Sequence, residues 1–145
     1  SSSWASSSSM AAQTGTTSLA EIITNDSARG ALAACCLGGI EYLEVIGEVE
    51  RTWAAGGREA FLRRLAAPSG ARVGLSPHAP YSVDPAVAAD LARLAAERDL
   101  RLHTHLGESA MEDALYDRGV RTVLDVFGDL RDEYVLVREG GRGLK

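Results

Sequence analysis

Histidine is scarce in this chain: 145 residues contain three, at His78, His103 and His105. Cysteine is scarcer, and the two present, Cys35 and Cys36, are neighbours. Adjacent residues on a helix point in different directions, so a bridge between them would be strained. The pair therefore builds neither a disulfide framework nor a CxxC metal knuckle. Two small buried thiols in a reducing compartment are the expectation. Basic residues are outnumbered too. A net charge of -5 leaves no footprint for nucleic acid and fits a cytoplasmic protein. Apolar runs are broken by Gly or charge well short of the roughly 20 residues of a membrane span. The start, Ser1-Ser2-Ser3-Trp4, has no initiator Met, no basic n-region and no apolar core of a signal peptide. It reads as the beginning of a piece of something longer.

Hydrophobic residues make up 46% of the chain, so it is not intrinsically disordered. Its length permits one domain with a real core, but falls short of the about 250 residues of a full eight-stranded α/β barrel. Residues 1–14 are Ser/Ala-rich, a leader or the remnant of a helix. From Gly15 a rhythm begins. β-branched and apolar runs at 16–23, 40–46, 72–76, 100–106 and 134–137 read as strands. Between them, a helix capped by Asp26 or Ser27 runs to Leu37, where Gly38-Gly39 stops it. Another spans about 49–66, weakened by Gly56-Gly57. The clearest starts at Asp84, an N-cap, with Pro85 in the first helical position and Val87, Leu91, Leu94 and Ala95 on one apolar face. Ser109 and Glu112 have capping-box spacing at the head of a helix ending at Gly119, and a short helix follows from Val120 to Phe127. Pro77 and Pro80 cannot donate to a sheet ladder, so the third strand must end there. The alternation implies a parallel sheet with right-handed crossovers, five strands and four crossovers, either doubly wound or part of a barrel.

Few residues could carry chemistry. Residues two apart on a strand share a face, so His103 and His105 point one way. Leu102, Thr104 and Leu106 point the other way, toward covering helices. On a barrel strand the imidazoles would face inward, with His105 nearer the C-terminal end where barrel enzymes keep their sites. Glu108 would fall on the opposite face of a continued strand, but Gly107 can turn the chain and return the carboxylate over the site. A metal-type ligand then stands beside a proton-transfer group, the pairing that metal-activated water requires. Satisfied core histidines produce the same HxH pattern, and the pattern alone does not separate the two. His78, at a strand-to-loop junction between two prolines, could equally cap or pack, though it falls on the same rim as Glu108. Phosphate-loop motifs are absent, as is the HxE…PCxxC signature of the zinc nucleobase deaminases. Glu112 and Asp113 read as a capping partner and a solvated face.

Two segments in order, Gly74-Leu75-Ser76-Pro77-His78-Ala79-Pro80-Tyr81-Ser82 and Leu102-His103-Thr104-His105-Leu106-Gly107-Glu108-Ser109, resemble the cytosine deaminase/chlorohydrolase-like branch of the amidohydrolase superfamily. That branch includes guanine, adenosylhomocysteine and aminofutalosine deaminases and triazine hydrolases. Gly15-Thr16-Thr17-Ser18-Leu19-Ala20-Glu21 is similar to the family's second strand. The resemblance covers about residues 10–130. It implies an incomplete (β/α)8 TIM-type barrel over 15–138, followed by a Gly/Arg-rich tail over 139–145. It also implies a divalent metal in the complete family member, zinc first and iron as the alternative. His105 would be a metal ligand, Glu108 the catalytic proton shuttle, His78 a substrate contact, and His103 a neighbour rather than a second ligand. The implied reaction is addition of metal-activated water to a ring or amidine carbon of a purine, pyrimidine or triazine-like substrate, with loss of ammonia or chloride.

The departures are specific. No His precedes residue 78, so the family's first-strand HxH is missing. Arg138 stands where the sixth-strand His is expected, and the eighth-strand Asp has no counterpart here. With His105 as the one expected ligand left, the chain alone should bind divalent metal weakly and turn nothing over. Its expected partners are a small-molecule substrate and either a second copy, as a homo-oligomer, or the missing barrel portion. The alternative is a non-catalytic α/β module that joins another chain through open sheet edges.

Overall fold

A computed structural model describes residues 3–110 and Glu112. The helices expected beyond Glu112, the strand at 134–137, Arg138 and the tail at 139–145 lie outside the described residues. The Ser/Ala-rich start forms helix α1 (Ser3–Gln13). The Thr14 hydroxyl closes it by donating to the carbonyls of Met10 and Ala11 at 3.1 and 3.0 Å.

Three parallel strands follow in the order β1 (Ser18–Ile23), β2 (Gly38–Val45) and β3 (Arg72–Pro77). Ile23, Leu43 and Leu75 stand side by side in register, and none is exposed. They meet Trp53, Phe61, Val83, Val87 and Leu91 in one core. Each such side chain contributes about 1.5–3 kcal/mol by leaving water, which makes this face of the sheet its main attachment to the helices.

The helix expected over 26–37 is instead a 3₁₀ turn (Asp26–Ala28) and a single turn α2 (Ala31–Ala34). Gly30 between them has φ 79°, which breaks the helical path. Its N–H is spent on Glu41 Oε1 at 2.7 Å. Asn25, not Asp26 or Ser27, caps the turn, accepting from Ser27 N at 3.0 Å. The thiols depart from expectation as well. Cys36 sits at φ 55° where the turn ends and is exposed, and Cys35 is half-buried.

The stretch expected as one helix over 49–66 is α3 (Glu50–Thr52), a π turn (Trp53–Gly57) and α4 (Arg58–Ala66), kinked at Gly56 with φ 130°. Helix α5 (Pro85–Glu97) has the expected start, with Asp84 accepting from Ala86 N at 2.9 Å. Its buried residues are Val87, Leu91, Leu94 and Ala95, the face read from the sequence. Asp90 of α5 accepts from Trp53 Nε1 at 2.9 Å and Arg58 Nε at 2.6 Å, pinning the π turn to this helix. Burial alone would raise the Asp90 carboxyl. Hydrogen bonds from Trp53, Arg58 and Arg93, with the Arg58 charge, hold it below its ordinary range instead.

The strand expected over 100–106 is only partly a strand. Leu102 bridges Leu75 in parallel, and Leu75 N donates to Arg101 O, His103 N to Leu75 O and His105 N to His78 O at 2.8–3.0 Å. The segment follows β3 without a full ladder. Leu102 and Leu106, expected to pack under helices, are 45% and 63% exposed. Among the described residues this segment is the edge of the sheet, with no strand beyond it to complete its bonding. The described architecture is therefore a three-stranded parallel α/β sheet with a fourth, bridged segment. The five strands of the expected partial barrel are not all present in it.

Candidate metal centre

The sheet face opposite the core carries Thr24, Glu44 and Ser76, because side chains alternate along each strand. One row crosses it near the C-terminal strand ends. Thr24 follows β1, Glu44 is partnered with Ser76, and His103 follows the Leu102 bridge to Leu75. His78 and His105 lie two residues further along their segments. Beneath the row, Tyr42 and Gly74 are partnered. Gly74 is required there: a Cβ would come within 2.6 Å of the Tyr42 ring and 2.9 Å of Arg101 O. The Tyr42 ring thereby reaches His103, with centroids 5.5 Å apart.

Backbone bonds bring the strand-end loops together. Val45 O accepts from His78 N at 3.0 Å, Ser82 O from Gly47 N at 2.9 Å, and Glu48 O from Asp84 N at 3.0 Å. The loop carrying His78 is thus laced to the loop after Glu44. Thr104 Oγ1 and His105 N both donate to His78 O, which fixes the third segment to the second.

Donor atoms of Glu44, His78 and His105 all lie within 4.8 Å of one another. The His78 and His105 rings are 5.1 Å apart, and His105 Nε2 is 3.9 Å from Glu44 Oε1. The Glu44 side chain is 6% exposed, and its other oxygen accepts from Thr24 Oγ1 at 2.5 Å. Behind it, Arg64 donates to the backbone carbonyls of Glu44 and Ile23 at 2.7 and 2.5 Å. Two nitrogens and a carboxylate oxygen are a donor set that suits a transition-metal ion, so these residues fit the kind of group the sequence implies.

Glu108 stands beside this cluster, not in it. Gly107 has φ 67°, the turn expected of it, and the exposed Glu108 carboxylate accepts from Tyr81 OH. Glu112 Oε2 accepts from Glu108 N at 2.8 Å, while Glu112 N donates to Ser109 Oγ at 3.3 Å, so the capping residues also hold the Glu108 backbone. His103 does not join the donor cluster. Its Nδ1 and the Ser76 hydroxyl are buried without a hydrogen-bond partner among the described residues. Glu21 is not brought to the site. It lies two residues before Ile23, on the helix-covered face beside Glu41, where burial first and the Glu41 charge second raise its pKa.

Sequence reading missed Glu44, Thr24, Ser82 and Tyr81. Glu44 left one signal: a carboxylate at the C-terminal end of a predicted strand, out of phase with the apolar Leu43 and Val45.

This geometry can be set beside known proteins. No protein-family model matches the chain, and no curated protein matches it. Among the solved structures that resemble it are the Helicobacter pylori aminofutalosine deaminase and that enzyme in complex with methylthio-coformycin. Each has a TM-score of 0.55 at 21% identity over 73% of this chain. The chain spans 27% and 26% of theirs, about a quarter of the length. At this identity the likeness is one of fold. No helix among the described residues is long and apolar enough to cross a membrane.

Proposed function

We propose that the chain is a segment of a metal-dependent hydrolase of the amidohydrolase type, acting on C–N or C–Cl bonds of a purine, pyrimidine or triazine-like substrate. The observation that carries this reading is the meeting of His78, His105, Glu44 and the Tyr81–Glu108 pair at the C-terminal ends of parallel strands. The fold likeness to a deaminase, and that enzyme's complex with a coformycin, add support. When bound, a divalent ion would polarise water for attack on the substrate carbon. The chain's own part is to hold that ion through His105 and to move a proton through Glu108. Tyr81 OH aims the Glu108 carboxylate, and Glu112 holds its backbone. His78 borders the same opening.

The test is a chimera in which residues 3–110 replace the matching quarter of the aminofutalosine deaminase barrel, assayed for ammonia release. The chain alone is expected to be inactive. The chimera should release ammonia and lose about 10²–10⁴-fold in kcat on Glu108→Gln, the contribution of a positioned acid–base group. Turnover indifferent to Glu108→Gln would sink the proposal. The exposed Leu102 and Leu106 favour a second reading, a non-catalytic module that docks another chain along this edge. A monomer by light scattering at high concentration would count against it.

A further inference from the structure

We infer that Glu44, His78 and His105 form a complete three-ligand site for one divalent transition-metal ion, supplied wholly by this chain. The inference rests on the metal-dependent reading above. It departs from the ligand set of the resembling family by making His78 a ligand and adding Glu44.

Three observations carry it. First, the Ser82 hydroxyl has one proton and donates it to Ala79 O at 3.1 Å. With that proton on the carbonyl, the hydroxyl at 2.7 Å from His78 Nδ1 accepts from it, which leaves Nε2 as the nitrogen a neutral ring offers to a metal. A ligating histidine is ordinarily held in this way, its second nitrogen donating to a neighbour that fixes the tautomer. Ser82 is buried, so the arrangement is part of the built structure.

Second, Glu44 is a buried carboxylate with no Lys or Arg on its side chain. Arg64 is spent on backbone carbonyls and Asp26, and among the described residues the Glu44 oxygens meet a hydroxyl and an imidazole. A buried carboxylate is ordinarily found with a cationic partner. A divalent ion between Glu44 and the two histidines supplies it.

Third, the spacing suits one small ion. Ligands at about 2.0–2.2 Å from zinc lie at most about 4.4 Å apart. That limit is for opposed ligands; three on one ion at tetrahedral or trigonal angles lie about 3.3–3.8 Å apart, so donor atoms now within 4.8 Å of one another must draw in by up to about 1.5 Å. Two imidazoles with one carboxylate favour zinc, cobalt or iron over calcium or magnesium, which take oxygen ligands. Three protein ligands leave a position open.

The experiment uses the whole 145-residue chain, stripped with chelator and titrated with Co(II) alone, read by its visible d–d absorption. Zinc competition follows, and circular dichroism checks the fold of every variant. Saturable binding of one ion per chain is expected. Glu44→Gln, His78→Ala and His105→Ala should each weaken it at least 100-fold. Ser82→Ala and Thr24→Val, which remove only orienting hydrogen bonds, should cost about 10–100-fold. Glu108→Gln should leave affinity within about twofold.

A folded chain with no saturable binding would overturn the inference. So would Glu44→Gln and His78→Ala variants that bind as the parent does. In that second case, loss of binding in His105→Ala alone would leave the hydrolase reading standing. Cobalt bound as expected, with a chimera indifferent to Glu108→Gln, would sink that reading and keep the site.

Discussion

Arg64 is the side chain on which the ends of β1 and β2 depend. Its side chain is 18% exposed, and its guanidinium donates to Ile23 O at 2.5 Å, Glu44 O at 2.7 Å and Thr24 O at 3.3 Å and pairs with Asp26 at 2.5 Å. In Arg64→Ala the Asp26 pair is worth little, because Asp26 is 58% exposed and screened by water. The carbonyl bonds decide the cost. A hydrogen bond from a charged donor contributes about 1.5–3 kcal/mol, and the carbonyls left behind lose their partner at a partly buried site. Two strong bonds and one long one, discounted for partial access of water, give about 3 kcal/mol. With a urea m-value of about 1–3 kcal/mol/M, the midpoint should fall by roughly 1–3 M. Arg64→Lys keeps the charge but not the fork that spans two strands, so it should lie between. Asp26→Ala should cost less than about 1 kcal/mol. Because Thr24 and Glu44 hang on these carbonyls, Arg64→Ala should also weaken cobalt binding at temperatures where the variant is folded. A midpoint for Arg64→Ala indistinguishable from that of Asp26→Ala would refute the reasoning.

Gly74→Ala puts a methyl against Tyr42 and the Arg101 carbonyl, and the carbonyl cannot rotate away as a side chain would. It should cost about 1–3 kcal/mol by urea denaturation, with greater hydrogen exchange at His103 and His105; full stability would show that the edge segment yields freely. Glu21 has its pKa raised by burial and by Glu41, so its folded state prefers the proton and its charge opposes folding at neutral pH. Glu21→Gln should raise the Tm at pH 7. Its advantage should shrink as pH falls through the raised value toward the ordinary 4.5, and an advantage constant with pH would contradict this assignment.

Local chemistry made much of this fold legible. The start of α5 is written in Asp84-Pro85 and its buried face in the spacing of Val87, Leu91 and Leu94, because capping and helical periodicity act within a few residues. The turn at Gly107 and the pairing of Ser109 with Glu112 were legible for the same reason. The helix expected over 26–37 failed because Gly30 gives its N–H to Glu41, eleven residues on, and no local pattern encodes that bond. The edge at 100–106 has strand-like residues, but a strand needs neighbours, and the described sheet offers one on one side only.

The sequence by itself determined the alternation of strands and helices, the end of β3 at its prolines, and the placing of His78, His105 and Glu108 at one rim. Periodicity and chain stiffness act over neighbouring residues and leave their mark there. Only the tertiary structure decided which carboxylate meets the histidines. Glu44 lies 34 residues before His78, and parallel register carries it beneath the two imidazoles while Glu108 turns aside to Tyr81. Register is set by which apolar faces pack together, and that is a property of the assembled sheet.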